Sequence, residues 1–214
     1  MPSGISHLDT RQNYDRLSHW YDSFSASERL ITETGLSLLD AHLGESILEI
    51  GFGTGHALIE LMQAVGEAGW VCGIDLSPGM FAMASRHIQR KGMEGRISLQ
   101  LGDATCLPFA DNQFQAVFMS FTLELFEPAE IPIVLGECRR VLQQGGRLGI
   151  VSLLKSETRA VKIYEWFHVH FPGIVDCRPI FVHQVLETAG FRTSKAQEKR
   201  LWGLSVVAVV AKKP

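Results

Sequence analysis

Short apolar runs that alternate with stretches of helical periodicity predict an α/β protein built on a doubly wound, mostly parallel sheet of seven strands. Two observations carry that expectation. The stretch Ser46 to Leu61, SILEIGFGTGHALIEL, passes from strand through glycine turn to helix without a break. Further strand-like runs stand at Trp70–Asp75, Ile97–Leu101, Ala116–Met119 and Arg147–Leu153, and the chain closes on two more, Thr193–Leu201 and Leu204–Ala211, either side of Gly203.

In the first unit, Ile47, Leu48 and Ile50 are the apolar residues of a buried strand that also carries a carboxylate, Glu49. Glycines at 51, 53 and 55 let the backbone turn sharply and pass close to a ligand, and the helix that begins near His56 presents free N–H groups there. Leu58, Leu61, Met62 and Val65 then recur at helical spacing. Such a turn points to a nucleotide-like ligand, although tight glycine turns also occur in α/β proteins without one. The dinucleotide fingerprint G-x-G-x-x-G is not met, because His56 occupies the place of its last glycine, and a carboxylate two residues before the first glycine is foreign to it.

The second strand ends in Asp75, at the tip where a carboxylate is placed to accept both hydrogens of a ribose diol. Ser77 reads as the N-cap of the next helix and Pro78 as its first residue, with Met80 either supporting a nucleobase or packing in the core. The third strand runs into Gly102-Asp103-Ala104, where Asp103 also fits a plain turn. Ser120 to Glu124 leaves the carboxyl end of the fourth strand, the side on which doubly wound sheets bind ligands.

A helix over 129–142 is expected to stop at Gly145-Gly146 as a left-handed C-cap, and Val182 to Ala189 forms another, closed by Gly190. Between the fifth strand and that last helix, Tyr164, Trp166, Phe167, His168, His170 and Phe171 suggest a cap over a substrate mouth, at about 155–180. His168, His170, Cys177 and His183 are side-chain types that bind zinc, but H-x-H on a helix points its rings apart, so partly buried cap histidines are expected and no metal. Near the start, Tyr14-Asp15 and Tyr21-Asp22 stand seven residues apart in an aromatic helical segment. The two tyrosines share one helix face, lying over a common pocket or packed on the domain.

The chain of 214 residues, 46% hydrophobic and 20% charged, suits one domain spanning 1–214, and no repeat or low-complexity segment divides it. A net charge of −3 offers no general attraction for phosphate backbones, so no nucleic-acid partner is expected. The four cysteines lack C-x-x-C spacing, no apolar run reaches bilayer length, and no basic-then-apolar leader opens the chain. Cytoplasmic residence follows as the expectation, with oligomeric state left open.

From the acidic residue, any residue, then G-x-G-x-G at Glu49 to Gly55, the sequence resembles the Rossmann-like S-adenosylmethionine-dependent methyltransferases. Y-D-R-L, I-L-E-I-G-F-G-T-G, G-I-D-L-S-P-G-M and G-D-A-x-x-L-P-F make it similar, within them, to the ubiquinone and menaquinone biosynthesis group. The resemblance implies S-adenosyl-L-methionine as cofactor, a small-molecule acceptor, and a last strand inserted antiparallel. It implies cofactor contacts from Glu49, Gly51, Phe52, Gly53, Gly55, Asp75, Leu76, Met80, Asp103 and Ala104, with Asp103 on the adenine, and a lid at about 12–40 bearing Tyr14 and Tyr21. It adds Ser120 and Phe121 to the cofactor contacts and sets Ser120 to Glu124 beside the reacting methyl.

Phe121-Thr122-Leu123-Glu124 departs from the residues usual in the quinone enzymes, and no N-P-P-Y or D-P-P-Y follows the fourth strand, which argues against amino-methylation of adenine or glutamine. Glu124, flanked by apolar residues, is either a buried acid–base group facing His168 or His170 across the acceptor or a plain helix-start carboxylate ahead of Pro128. A catalytically silent S-adenosylmethionine-binding protein and a nicotinamide-dependent oxidoreductase are the alternative readings.

Overall fold

The computed structural model describes residues 21–155, 177–201 and 203–214, with side chains described from residue 28 onward. Tyr14, His168 and His170 therefore lie outside the described residues, and Tyr21 opens the first described helix.

Helix α1 (Tyr21–Leu39) leads into β1 (Ser46–Ile50), α2 (His56–Val65), β2 (Trp70–Asp75), α3 (Pro78–Arg90), β3 (Ile97–Leu101) and β4 (Phe114–Ser120). A single 3₁₀ turn (Leu123–Leu125) follows, then α4 (Ile131–Val141), β5 (Leu142–Leu153), α5 (Val182–Thr188), β6 (Arg192–Leu201) and β7 (Leu204–Lys212). The strands form one sheet in the order β3-β2-β1-β4-β5-β7-β6. β1 to β5 run parallel, and β7 lies antiparallel between β5 and β6. The expected doubly wound sheet with an antiparallel last strand is what forms.

Side chains alternate across each strand, so the sheet carries a core on either face. Leu48, Ile50, Val117, Met119, Leu148 and Ile150 pack with α4 and α5 on one side. Ile47, Val71, Ala116, Phe118, Ala208 and Val210 pack with α1, α2 and α3 on the other. Helix α1 sits close on β5: a Cβ added to Gly35 would stand 2.4 Å from Val151 Cγ2. Arg147 of β5 closes the end of that helix, its Nε donating to the Leu39 carbonyl at 2.9 Å and its terminal nitrogen to the Glu45 carboxylate at 2.6 Å.

Local chemistry sets several boundaries as the residues suggest. Ser77 Oγ accepts from Met80 N at 3.1 Å, and Pro78 opens α3. Gly145 differs. The helix ends at Val141 and β5 begins at once, so this glycine, at φ +74°, is no C-cap. It lies where the step from Leu142 to Arg147 on β5 matches only that from Phe114 to Ala116 on β4, an irregularity in the ladder. Its N–H donates to the Lys213 carbonyl at 3.0 Å, and Gly146 O accepts from Lys213 N at 2.9 Å, so pairing with the end of the chain outweighs the local capping signal. Strand β6 forms the sheet edge, exposed from Arg192 to Arg200 and studded with Lys and Arg that discourage pairing with another strand. Among the described residues no helix is long and apolar enough to cross a membrane.

Candidate functional site

The strand order reverses between β1 and β4, and a cleft opens beyond their carboxyl ends. Its wall takes in the turn after β1, Asp75 to Ser77 after β2, Gly102 to Ala104 after β3 and Ser120 to Thr122 after β4. Glu28, Arg29, Thr32 and Glu33 of α1 complete it.

Gly51, Gly53 and Gly55 all have left-handed backbone, at φ +71°, +51° and +81°. Their missing side chains serve different ends. A Cβ at Gly51 would stand 2.4 Å from the γ atoms of Thr122, and one at Gly55 would stand 3.0 Å from Ala84 Cβ, whereas one at Gly53 would meet nothing within 4 Å. The first and last permit close packing, and the middle one keeps the wall of the cleft open to a ligand.

Asp75 ties two of the turns together. Its Oδ2 accepts from Gly53 N at 2.9 Å and its Oδ1 from Ser77 N at 2.9 Å, at the point on the cleft wall where a diol would dock. Asp103 holds its own turn through Thr105 N at 2.8 Å while remaining on the cleft wall, next to the buried Ala104. Phe52, Leu76 and Met80 also line the cleft, and Phe52 and Met80 are buried.

At the carboxyl end of β4, Ser120 Oγ meets Thr32 Oγ1 of α1 at 2.7 Å. Phe121 follows at φ +51°, a strained backbone for an aromatic residue, held by its N–H on the Val151 carbonyl at 2.8 Å. Glu124 is 1% exposed and is not among the residues lining the cleft. Its Oε1 accepts from Leu153 N at 3.1 Å, and its carbonyl accepts from Arg178 N at 3.3 Å.

Glu49 is the other buried carboxylate of this end of the sheet, 3% exposed. Its Oε2 has no hydrogen-bond partner among the described residues. Burial, with Asp75 and Glu60 nearby, holds its carboxyl well above the ordinary range. Glu28, Glu33, Glu60, Asp75 and Asp103 share the wall with it, against Arg29 as the one arginine or lysine among the described lining residues. Arg29 is itself engaged, 3.3 Å from Glu33 and 3.8 Å from Glu60. A wall so charged suits a ligand that brings cations, a diol and a flat base.

The expected lid at about 12–40 takes in α1, but the sequence pattern does not single out Glu28, Arg29, Thr32 or Glu33 as cleft residues. The spacing of Arg29 and Glu33 announces only a surface pair on a helix. That Thr32 reaches Ser120, 88 residues away, is decided by the docking of α1 on the sheet.

Fold and cleft together are similar to those of the Rossmann-like methyltransferases, the class whose cofactor is S-adenosylmethionine. Residues 47–146 match the family described as "Methyltransferase domain". The chain is 30% identical over 141 residues to the demethylmenaquinone methyltransferase of Porphyromonas gingivalis, a match that takes in 66% of this chain and 56% of that relative. Among solved structures it is similar to a SAM-dependent methyltransferase from Aquifex aeolicus, with TM-score 0.67 and 24% identity over 92% of this chain and 98% of that one. It is also similar to the [4+2]-cyclase SpnF, with TM-score 0.77 and 19% identity over 100% and 98% of the two chains. The residues present fit S-adenosylmethionine: the open turn at Gly53, the Asp75 carboxylate on the cleft wall and the buried Glu49 oxygen without a partner among the described residues suit its backbone approach, its diol and its positive charge.

Proposed function

We propose that this chain transfers a methyl group from S-adenosylmethionine to a small-molecule acceptor by in-line displacement. The carboxylate-lined cleft at the reversal of strand order carries the reading. Asp75 takes the ribose diol, Asp103 the adenine, the turn at Gly51 to Gly55 the amino-acid end, and Ser120 and Phe121 flank the methyl. The cofactor supplies an activated sulfonium methyl and a neutral thioether leaving group. The protein's part is alignment and exclusion of water, worth about 7 to 11 kcal/mol in well-oriented systems.

The chain acts as one domain, in which the segment at about 12–40, bearing Tyr14 and Tyr21, forms the lid. The segment at about 155–180, bearing His168, caps the acceptor. Glu124 secures the turn after β4 to β5 through Leu153, and alignment carries the reaction unless the acceptor arrives protonated. The name of the Porphyromonas gingivalis relative puts quinone-type rings first among acceptors to try.

Calorimetry with S-adenosylmethionine and with NADH, followed by measurement of S-adenosylhomocysteine formed with a panel of naphthoquinols and phenols, tests the reading. S-adenosylmethionine binding with turnover on one of these acceptors is the expected result. Binding without turnover on any of them supports a silent binding protein, and binding of NADH alone an oxidoreductase.

A further inference from the structure

The alternation of β1 sends Glu49 to the same face of the sheet as Ile47, under α1 and α2 rather than into solvent. Its neighbours in the ladder are Gly73 on β2 and Phe118 on β4, neither of which has a side-chain donor. Three backbone N–H groups of the turn after β1 are engaged elsewhere: Gly51 N on the Ile74 carbonyl, Gly53 N on Asp75 and Gly55 N on the Phe52 carbonyl. The charged and titratable side chains around the cleft do not neutralise it. From α1 come Glu28, Arg29 and Glu33, from α2 His56 and Glu60, and from the turns after β2 and β3 Asp75 and Asp103. Arg29 stands with Glu33 and Glu60, and Asp75 accepts two backbone N–H groups.

Glu49 is thus a buried carboxyl aimed at a ligand cleft, with one oxygen lacking a hydrogen-bond partner among the described residues and an acidic neighbourhood. An anion there is costly until a cation joins it. We propose that Glu49 selects the charge of the ligand by exchange: it carries a proton in the ligand-free protein and gives it up when the α-ammonium of the cofactor enters the cleft. This inference rests on S-adenosylmethionine being the ligand. The O–H bond of the acid breaks, the proton passes to solvent, and the carboxylate accepts an N–H hydrogen bond from the ammonium. No covalent bond to the ligand forms. The raised proton affinity of Glu49, set first by burial and then by Asp75 and Glu60, agrees with this exchange. Each cofactor bound then releases up to one proton, and affinity rises with pH by up to about tenfold per unit until Glu49 ionises in the free protein.

Titration calorimetry of the intact chain, in pairs of buffers with different heats of ionisation and from about pH 5 to 8, counts the protons released. S-adenosylmethionine and S-adenosylhomocysteine, which share the α-ammonium, are expected to release close to one proton at the lower end of that range. 5′-Methylthioadenosine, which keeps the adenosine and lacks the amino acid, is expected to release none. Glu49→Gln binds S-adenosylmethionine without release and with affinity that no longer follows pH. Binding of S-adenosylmethionine to the unaltered chain with no release at any pH overturns the exchange and leaves the cofactor assignment standing. Release retained in Glu49→Gln moves the proton to another group and overturns it too. Failure of S-adenosylmethionine to bind at all removes the cofactor assignment, and the exchange with it.

Discussion

The turns that follow β1 and β4 border one cleft from adjacent strands, and they solve the same geometric problem by different chemistry. The first reverses the chain on Gly51, Gly53 and Gly55, for which left-handed backbone carries no side-chain penalty. The second forces Phe121 to φ +51° and holds it there with contacts drawn from elsewhere: Val151 for its N–H, and Thr32 for the neighbouring Ser120 hydroxyl. The two turns also interlock. Thr122 fills the space that a Cβ on Gly51 would need, and its hydroxyl donates to the Ser120 carbonyl at 3.0 Å. The comparison teaches that a glycine in a ligand loop is not by that fact a ligand contact: Gly51 answers to Thr122 and only Gly53 to open space.

Substitutions in the two turns should separate these roles. Gly51→Ala has the largest expected effect on the fold. It combines about 1–2 kcal/mol of left-handed strain with about 1–3 kcal/mol of overpacking against Thr122, read as a lower midpoint in urea. Adding Thr122→Ala should recover part of the second contribution, and strictly additive effects would show that the two turns do not touch. Gly53→Ala should incur only the strain, about 1–2 kcal/mol, and show its larger deficit in cofactor binding.

Next in size, Asp75→Ala removes charge-assisted hydrogen bonds of roughly 1.5–3 kcal/mol, so affinity for S-adenosylmethionine should fall about ten- to a hundredfold. Calorimetry that finds unchanged affinity would falsify the ribose assignment.

Glu49 and Glu124 extend the comparison to two buried carboxylates, one on the cleft wall and one tied to a backbone N–H. A raised proton affinity in the native state stabilises the ligand-free protein most at low pH. That contribution fades as pH rises above the unfolded value near about 4.3, by about 1.4 kcal/mol per unit until Glu49 itself ionises. Glu49→Gln abolishes this titration, so between about pH 5 and 8 the variant should gain on the unaltered protein as pH increases. Chemical denaturation without ligand checks it, and a difference independent of pH contradicts the raised affinity. The smallest effect belongs to Glu124→Gln, whose amide oxygen can still accept from Leu153 N. Stability should stay within about 1 kcal/mol and turnover close to that of the unaltered enzyme. A loss of roughly 10² to 10⁴ in turnover, with a changed pH profile, would instead assign acid–base work to this residue.

The sequence by itself determined the units whose signals are local. Trp70–Asp75 as β2, His56 as the first residue of α2, and Ser77 with Pro78 at the head of α3 follow from apolar runs, glycine freedom and capping chemistry within a few residues. The ordered acidic and glycine motifs likewise announced a ligand cleft and its cofactor class. Only the tertiary structure decided where long-range partners prevail. Gly145 reads as a helix cap until β7 offers Lys213 for pairing, and Phe121 carries no sign of left-handed backbone until β5 captures its N–H. Glu49 is visible as a motif carboxylate, but its lack of a neutralising partner among the described residues depends on Arg29 standing with Glu33 and Glu60 instead. Those choices are made by packing between elements far apart in the chain, where spacing along the sequence holds no information about distance in space.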